Sequence, residues 1–164
     1  MGTTKNLALV AHDNKKQDLV EWAEFNCYSL IQHNLFCTGT TGKLIEEALL
    51  IRIQKVNPEV TSLANMTRLK SGPLGGDAQM GSLIATGVLD YLFFFTDPLT
   101  MQAHDTDIKA LERLADVYNI PCASNRATAD HIVSSPLFTI AYERKIYDYT
   151  AHNTRFDPNG RGFL

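Results

Sequence analysis

Residues 89–95 have the sequence LDYLFFF, and the polar segment Thr96–Pro98 follows directly. Apolar and aromatic side chains fill almost every position of the run, without the regular polar alternation of a strand that has one solvated face. Continuous runs of this kind are typical of strands that are buried on both faces of a parallel sheet. The run therefore predicts a central strand of an α/β protein, and the polar residues mark its carboxyl end.

Short apolar runs alternate with amphipathic stretches on both sides of this strand. We predict strands at residues 7–11, 35–37, 66–70, 89–95 and 120–123, and helices at residues 13–31, 41–51, 77–86, 107–119 and 128–134. Strands that alternate with helices form a parallel sheet with right-handed crossovers. The predicted fold is an α/β three-layer sandwich with a mainly parallel five-stranded sheet, Rossmann-like, in a single domain over residues 1–164.

The composition is that of an ordinary globular domain. The chain has 164 residues, of which 45% are hydrophobic and 20% charged, and its formal net charge is -3. No cluster of Lys and Arg residues forms a basic face, so we expect no nucleic-acid partner. The longest apolar run is too short to span a bilayer, and the amino terminus lacks the pattern of a signal peptide. We therefore expect no membrane partner and a cytoplasmic location.

The three cysteines are Cys27, Cys37 and Cys122. Their number is odd, and their spacing matches no metal-binding motif. We interpret them as buried free thiols of a protein from a reducing compartment.

Small, polar and acidic residues follow each predicted strand. These segments are His12-Asp13, Thr38–Gly42, Ser71–Asp77, Thr96–Pro98 with residues 104–107, and Ser124-Asn125. The loops at the opposite ends of the strands, residues 30–34 and 87–90, carry no comparable set. Because ligands bind beyond the carboxyl ends of the strands in an open parallel sheet, we predict a ligand site at this edge.

The segment Thr38–Gly42, TGTTG, is expected to open a helix with three hydroxyl groups. The N–H groups and dipole of a helix N-terminus favour an anion, and hydroxyls add hydrogen bonds to phosphate oxygens. An ordinary N-cap is the alternative, but a cap needs one hydroxyl and not three. The segment is not a P-loop, because Cys37 and Leu44 stand where that motif requires Gly and Ser or Thr. We therefore predict phosphate binding without ATP hydrolysis.

The segment Ser71–Asp77 contains three glycines, which allow the backbone to approach a ligand closely. It lacks the GxGxxG pattern of a dinucleotide-binding loop. Asp77 is expected at or just before the start of a helix. Its carboxylate is therefore either an N-cap or a catalytic base held in a confined loop, and the sequence leaves both interpretations open.

Histidines and aspartates gather at the same predicted edge: His12, Asp13, Asp97, His104, Asp105 and Asp107. They form either a metal site or a site in which a carboxylate orients a histidine. Their spacing matches no metal-binding signature, which favours the second interpretation and predicts no metal.

Lys16 and the three remaining histidines differ in their expected distance from this edge of the sheet. Lys16 lies one helical turn after His12, so it either reaches an anion there or projects from a solvated helix face. His33, His131 and His152 lie away from the strand ends, and we predict that they are surface residues.

In this order, the strand-end motifs resemble those of the methylglyoxal synthases. The resemblance covers roughly residues 6–136, and the motifs are specific together rather than singly. The segments that carry it are 10–13 (VAHD), 38–42 (TGTTG), 71–77 (SGPLGGD), 95–99 (FTDPL), 104–107 (HDTD), 119–121 (NIP) and 127–130 (ATAD).

The resemblance implies a carbon–oxygen lyase that converts dihydroxyacetone phosphate into methylglyoxal and inorganic phosphate, without a metal or an organic cofactor. It implies Asp77 as the base, with His12 and His104, and with Asp13, Asp97 and Asp107 as supporting catalytic positions. The implied substrate contacts are His12, Lys16, Thr38, Gly39, Thr40, Thr41, Ser71, Gly72 and His104. Such enzymes are typically homohexamers that phosphate inhibits. They also use an arginine from across a subunit interface, for which Arg155 and then Arg161 are the candidates.

The chemistry of that reaction predicts a role for each group. We expect Asp77 to remove a proton α to the ketone, neutral His104 to donate a hydrogen bond to the enolate oxygen, and His12 to assist proton movement. The phosphate grip, which is the set of contacts from Thr38–Thr41 and Lys16 to the phosphate, then decides the outcome. The C–O bond to phosphate breaks if these contacts hold it perpendicular to the enediolate plane.

The sequence leaves two rival functions open. A non-catalytic effector-binding domain with a related fold occurs at the end of carbamoyl phosphate synthetases, and fold alone does not separate it from an enzyme. A sugar-phosphate isomerase would share the base and the phosphate grip, but it would release glyceraldehyde phosphate.

Overall fold

One sheet of five strands organises the fold in a computed structural model that describes residues 1–100 and 105–149. Its strands are β1 (Asn6–Ala11), β2 (Asn34–Thr38), β3 (Met66–Leu69), β4 (Tyr91–Phe95) and β5 (Cys122–Ala123). The order across the sheet is β3-β2-β1-β4-β5, and every neighbouring pair is parallel. The predicted five-stranded parallel sheet is confirmed, and its topological switch point lies between β1 and β4.

Helices cover both faces of this sheet. They are α1 (Lys16–Phe25), α2 (Cys27–Leu30), α3 (Gly39–Gln54), α4 (Gly76–Ala85), α5 (Asp105–Val117), α6 (Arg126–Ser134) and α7 (Pro136–Thr139). Short 3-10 turns at Asp13–Lys15 and Gly72–Leu74 precede α1 and α4.

The apolar run in β4 shows how the layers form. Alternate side chains of a strand point to opposite faces. Phe93 and Phe95 pack on Trp22 of α1, with ring centroids 5.0 and 5.9 Å apart. Leu92 and Phe94 belong to a second core with residues of α4 and α5. The strand is buried on both faces, and the predicted three-layer sandwich is confirmed.

The first predicted helix is interrupted. Residues 13–31 form a 3-10 turn, α1 and α2 rather than one continuous helix. The side-chain amide of Asn26 donates a hydrogen bond to the Trp22 carbonyl at 2.9 Å. The backbone N–H of Asn26 donates to the same carbonyl, and Asn26 is the C-cap residue at which α1 ends.

Two predicted strands are shorter than expected because their first residues end the preceding helix. Leu89 N–H donates to the Leu83 carbonyl at 3.2 Å, so β4 begins only at Tyr91. Ile120 N–H donates to the Ala115 carbonyl at 2.8 Å, and Asn119 has a positive φ of 50°. A left-handed residue of this kind terminates a helix.

His33 is not a surface residue, so that prediction is wrong. Its side chain is buried, its Nδ1 accepts a hydrogen bond from Lys5 N–H, and its ring packs edge-on against Phe138. Burial, followed by the charge of Lys5, lowers the pKa of His33. His131 is exposed as predicted, whereas His152 lies outside the described residues.

Residues 140–149 run past the loops at the amino ends of the strands. Buried Lys5 donates through Nζ to the carbonyls of Gly2 and Ile140. Farther along, Arg144 donates to the Leu89 carbonyl at 3.0 Å, and the Tyr149 hydroxyl donates to the Val117 carbonyl at 2.8 Å. This segment therefore covers the edge of the sheet opposite to the predicted ligand site.

Two simpler predictions concern thiols and membranes. Cys27 and Cys37 are buried free thiols as predicted, but Cys122 is only partly buried. Burial raises the pKa of Cys122 to about 11, so its thiol stays protonated at neutral pH. None of the helices in residues 1–100 and 105–149 is both long and apolar enough to cross a membrane.

Candidate active site

A cavity of about 240 Å³ opens at the carboxyl edge of the sheet. It is lined by Val10, Ala11, His12, Asp13, Lys16, Thr38, Thr40, Thr41, Ser71, Gly72, Pro73, Asp77 and Phe94. Most of the predicted site residues therefore meet around one space. The volume lies below the range of roughly 300–1,000 Å³ that is usual for drug-sized ligands, so the cavity suits a smaller molecule.

The amino end of α3 forms one wall of the cavity through Thr40 and Thr41. The Thr38 hydroxyl makes no capping hydrogen bond within the described residues. Elsewhere the chain does cap helices, since Asn125 accepts from Thr128 N–H and Ser135 from Leu137 N–H. The N–H groups in the first turn of α3 thus remain available to an anion, which favours the phosphate interpretation over the capping one.

Lys16 supplies positive charge beside these N–H groups. Its Nζ lies 2.6 Å from Oδ1 of Asp13 and 2.8 Å from Oγ1 of Thr40. The Lys16 side chain is 23% exposed, and the residue lines the cavity. The Lys16 side chain therefore borders the cavity rather than projecting from a solvated helix surface.

Gly39 brings the segments Thr38–Gly42 and Ser71–Asp77 into contact. Its φ is +26°, and a Cβ built on it would lie 2.8 Å from the Cα and Cβ of Ser71. Only a glycine fits at this approach without displacing the neighbouring backbone. Gly39 does not line the cavity itself, and its effect on the site is to let Ser71 stand beside the amino end of α3.

Asp77 lies in the first turn of α4, and Gly75 occupies the N-cap position before that helix. The residue is only 6% exposed, and it lines the cavity. A helix N-terminus stabilises a negative charge in its first turn. The structure therefore presents a buried carboxylate to the ligand space, and it does not support the interpretation of Asp77 as the N-cap residue.

His12 follows β1 and is 7% exposed. Its Nδ1 accepts a hydrogen bond of 2.8 Å from Asp97 N–H. A neutral imidazole whose Nδ1 is an acceptor carries its proton on Nε2. Nε2 of His12 is buried and has no hydrogen-bond partner within the described residues. Because a buried donor without a partner is costly, this N–H is available to an oxygen atom of a ligand.

The predicted support of a histidine by a carboxylate takes a different form at His12. The group that orients the ring is the backbone N–H of Asp97, and the Asp97 carboxylate bonds to other groups. That carboxylate accepts hydrogen bonds from Asn14 Nδ2 at 2.9 Å and from Leu99 N–H at 3.0 Å. These donors, Asn14 first and Thr100 with them, lower the pKa of Asp97 to about 2.

Asn14 contacts the loop after β4, a role that the sequence did not indicate. It lies in the 3-10 turn Asp13–Lys15, and its amide also donates to Oγ1 of Thr100 at 3.3 Å. The order Asp97-Pro98-Leu99 is typical of an aspartate that accepts from the backbone two residues later, but it does not indicate a contact with Asn14.

The other predicted acidic residues lie at the margins. Asp13 is exposed and pairs with Lys16. Asp107 is exposed and lines an adjacent cavity of about 400 Å³, which shares Gly72, Pro73 and Asp77 with the first one. His104, Arg155 and Arg161 lie outside the described residues.

Among residues 1–100 and 105–149, no group of three or more His, Cys, Asp or Glu side chains is arranged to hold a metal ion. The expectation of a metal-free site stays a prediction.

Comparison with known proteins identifies the family. The family model of the MGS-like domain matches residues 18–124. The methylglyoxal synthase of Maridesulfovibrio salexigens is 46% identical over 155 residues, which cover 94% of this chain and 99% of that protein. The methylglyoxal synthase of Oleidesulfovibrio alaskensis is 48% identical over 151 residues, which cover 92% and 95%.

A solved structure gives the same result. The crystal structure of methylglyoxal synthase from Elizabethkingia anophelis superposes with a TM-score of 0.80 at 43% sequence identity, over 97% of this chain and 96% of that one. Fold, strand-end motifs and relatives that match over nearly their whole length agree, and the chain belongs to the methylglyoxal synthase family.

Proposed function

We propose that this protein is a methylglyoxal synthase, a carbon–oxygen lyase that eliminates phosphate from dihydroxyacetone phosphate. The observation that carries the proposal is the content of the small cavity. It holds a buried carboxylate, Asp77, a histidine N–H donor at His12, and the amino end of α3 with the ammonium of Lys16 beside it. A base, a hydrogen-bond donor and a phosphate grip are what the elimination requires.

The first step is removal of a proton from the carbon that bears the free hydroxyl. The Asp77 carboxylate accepts the proton, and the C–H electron pair forms the double bond of an enediolate. The developing charge rests on the ketone oxygen, where a preorganised donor contributes about 3 kcal/mol to the lowering of the barrier. We assign that donor to neutral His104 and assign movement of protons around the enediolate to His12, whose Nε2–H is available.

The second step is departure of phosphate. The hydroxyl on the deprotonated carbon gives up its proton and becomes the aldehyde C=O, the double bond of the enediolate shifts toward the carbon that bears the phosphate, and the C–O bond to phosphate breaks. This happens only if that bond stands perpendicular to the enediolate plane. The hydroxyls of Thr38, Thr40 and Thr41 and the ammonium of Lys16 grip the phosphate on one side of the cavity, and Ser71 and Gly72 complete the grip. The released enol takes up a proton on its terminal carbon and becomes methylglyoxal.

The rival functions predict different products. An isomerase would hold the C–O bond in the enediolate plane and release glyceraldehyde phosphate, whereas an effector-binding domain would release nothing. The buried position of Asp77 in the cavity favours catalysis over binding alone, because burial of a carboxylate beside a bound phosphate is otherwise unfavourable.

The test is product analysis with the purified chain and dihydroxyacetone phosphate, in the presence and absence of EDTA. We expect equimolar methylglyoxal and inorganic phosphate, with equal rates in both reactions because the proposed mechanism uses no metal or cofactor. Release of glyceraldehyde phosphate would favour the isomerase, and absence of turnover would favour the binding domain. Turnover that occurs without EDTA and is lost in its presence would contradict the metal-free mechanism.

We also propose that the protein is a homo-oligomer, a hexamer by analogy with its family, in which Arg155 of one subunit contacts the phosphate in another. The path of residues 140–149 supports this assignment. Tyr149 bonds to Val117 at the carboxyl end of α5, whereas Asp107 near the start of α5 borders the site. Tyr149 therefore lies on the side of the molecule away from the cavity of its own chain.

Mixed oligomers test the assignment of Arg155. Asp77→Asn and Arg155→Ala subunits are each expected to have little activity alone. If Arg155 acts across an interface, oligomers refolded from both variants regain activity, because some sites combine an intact Asp77 with an intact partner arginine. Absence of any regain, with mixed oligomers demonstrated by native mass spectrometry, would contradict the assignment.

A further inference from the structure

We propose that Asn14 is a positioning residue that holds His12 in its Nε2–H tautomer, acting through the loop of residues 97–100. The effect on turnover rests on the proposed function. The effect on the tautomer does not, because it is a property of the ligand-free protein.

A chain of hydrogen bonds joins the two residues. Asn14 Nδ2 donates to Oδ2 of Asp97 at 2.9 Å and to Oγ1 of Thr100 at 3.3 Å. Oδ1 of Asp97 accepts from Leu99 N–H at 3.0 Å, which closes the loop on itself. Asp97 N–H then donates to Nδ1 of His12 at 2.8 Å. The first and last residues of the loop are thus both attached to Asn14.

The contact requires an amide at position 14. Asp97 carries a negative charge at neutral pH, so the group that faces it has to donate. The two protons on Nδ2 of an asparagine serve two acceptors at once, here a carboxylate and a hydroxyl. A carboxylate at the same position would face Asp97 with a like charge, and an apolar side chain would offer no donor.

The position of Asn14 separates its effect from substrate binding. Asn14 is exposed and does not line the cavity, whereas His12 does. If Asn14 is lost, the loop is less fixed and the Asp97 N–H no longer holds Nδ1 as an acceptor. The proton of neutral His12 is then free to occupy either nitrogen. The phosphate grip at Lys16 and α3 is unchanged, so we expect a loss in kcat rather than a rise in KM.

The experiment compares two variants. Asn14→Leu replaces the amide by an apolar side chain of similar size, which cannot donate. Asn14→Asp replaces it by a carboxylate, which accepts hydrogen bonds and repels the Asp97 carboxylate. Gln17→Leu is the matched control, because Gln17 is an exposed amide on α1 that bonds only locally to Glu21 among the hydrogen bonds seen here. Long-range ¹H–¹⁵N spectra of the histidine side chains report the tautomer of His12 in ligand-free protein, with assignment by a His12→Gln variant.

We expect the wild type and Gln17→Leu to show His12 protonated on Nε2. Both Asn14 variants should show a mixture of tautomers, and their kcat should fall by roughly tenfold to a hundredfold, as displaced catalytic groups do, with KM within about twofold. An unchanged tautomer in both Asn14 variants would overturn the proposal, as would a rise in KM at unchanged kcat. If the wild type lacks synthase activity, the proposed function fails while the spectra still decide the tautomer.

Discussion

Asp97 N–H donates a 2.8 Å hydrogen bond to Nδ1 of His12, and this contact joins the loop after β4 to the loop after β1. These strands are neighbours at the switch point of the sheet, although their final residues are 84 positions apart in the chain (95 minus 11). The contact fixes which nitrogen of His12 is a donor. The orientation of the His12 ring therefore depends on the backbone of a residue that does not line the 240 Å³ cavity.

Removal of the Lys16 ammonium should weaken the phosphate grip. For Lys16→Met we expect kcat/KM to fall by about 10- to 100-fold, because a hydrogen bond to a charged group contributes roughly 1.5–3 kcal/mol. Affinity for inorganic phosphate, measured by calorimetry, should fall in parallel. Lys15→Met is the control, since Lys15 precedes it in the same turn and does not line the cavity. Equal effects of the two substitutions would argue against a specific contact.

The approach of Gly39 to Ser71 predicts a substitution that affects both stability and activity. Gly39→Ala places a methyl group 2.8 Å from Ser71 at a positive φ, so it should lower the unfolding free energy and kcat/KM together. Gly87→Ala is the control, because Gly87 has a φ of +73° with open space around its Cβ position. It should cost about 1–2 kcal/mol of stability from backbone strain alone and leave activity unchanged. Full activity in Gly39→Ala would contradict the role of this close approach.

The lowered pKa of Asp97 predicts how stability depends on pH. Its pKa is about 2 in the folded protein, below the usual value of about 3.9 for an unfolded chain. The ionised carboxylate therefore stabilises the fold above the unfolded value, and this contribution disappears as the pH falls through the folded value.

Urea unfolding of the wild type and Asp97→Asn at several pH values checks this prediction. The wild type should be more stable by a constant difference above about pH 5, and that difference should shrink toward about pH 2. A difference that is independent of pH over this interval would show that the Asp97 carboxylate is not stabilised in the folded state.

Much of the fold follows from local sequence. The run in β4 predicted a strand buried on both faces, and Phe93 and Phe94 indeed belong to separate cores on the two faces. The limits of the elements were less predictable where one residue served two elements. Ile120 reads as the start of a strand, but its N–H completes the end of α5.

The candidate site was predictable to the extent that topology brings strand ends together. That rule alone placed His12, Thr38 and Ser71 at one edge, and they line one cavity. Contacts between distant segments were not predictable from one sequence. Asn14 is joined to Asp97 across 83 positions, and neither residue type nor spacing indicates that pairing.

His33 shows the same limit at the opposite edge. The loop that contains it looks solvated in sequence because it lies away from the predicted strand ends. It is buried by Phe138, which is 105 positions later in the chain (138 minus 33). Burial by a remote segment depends on the tertiary fold and leaves no local pattern.

The most direct test of the central claim is a ³¹P NMR time course of dihydroxyacetone phosphate with the wild type and with Asp77→Asn. For the wild type we expect the substrate signal to give way to inorganic phosphate, with methylglyoxal formed in equal amount. For Asp77→Asn the rate should fall by about 10²–10⁴-fold, the usual contribution of a general base, while binding of inorganic phosphate is retained. Full phosphate release by Asp77→Asn, or no release by the wild type, would contradict the account.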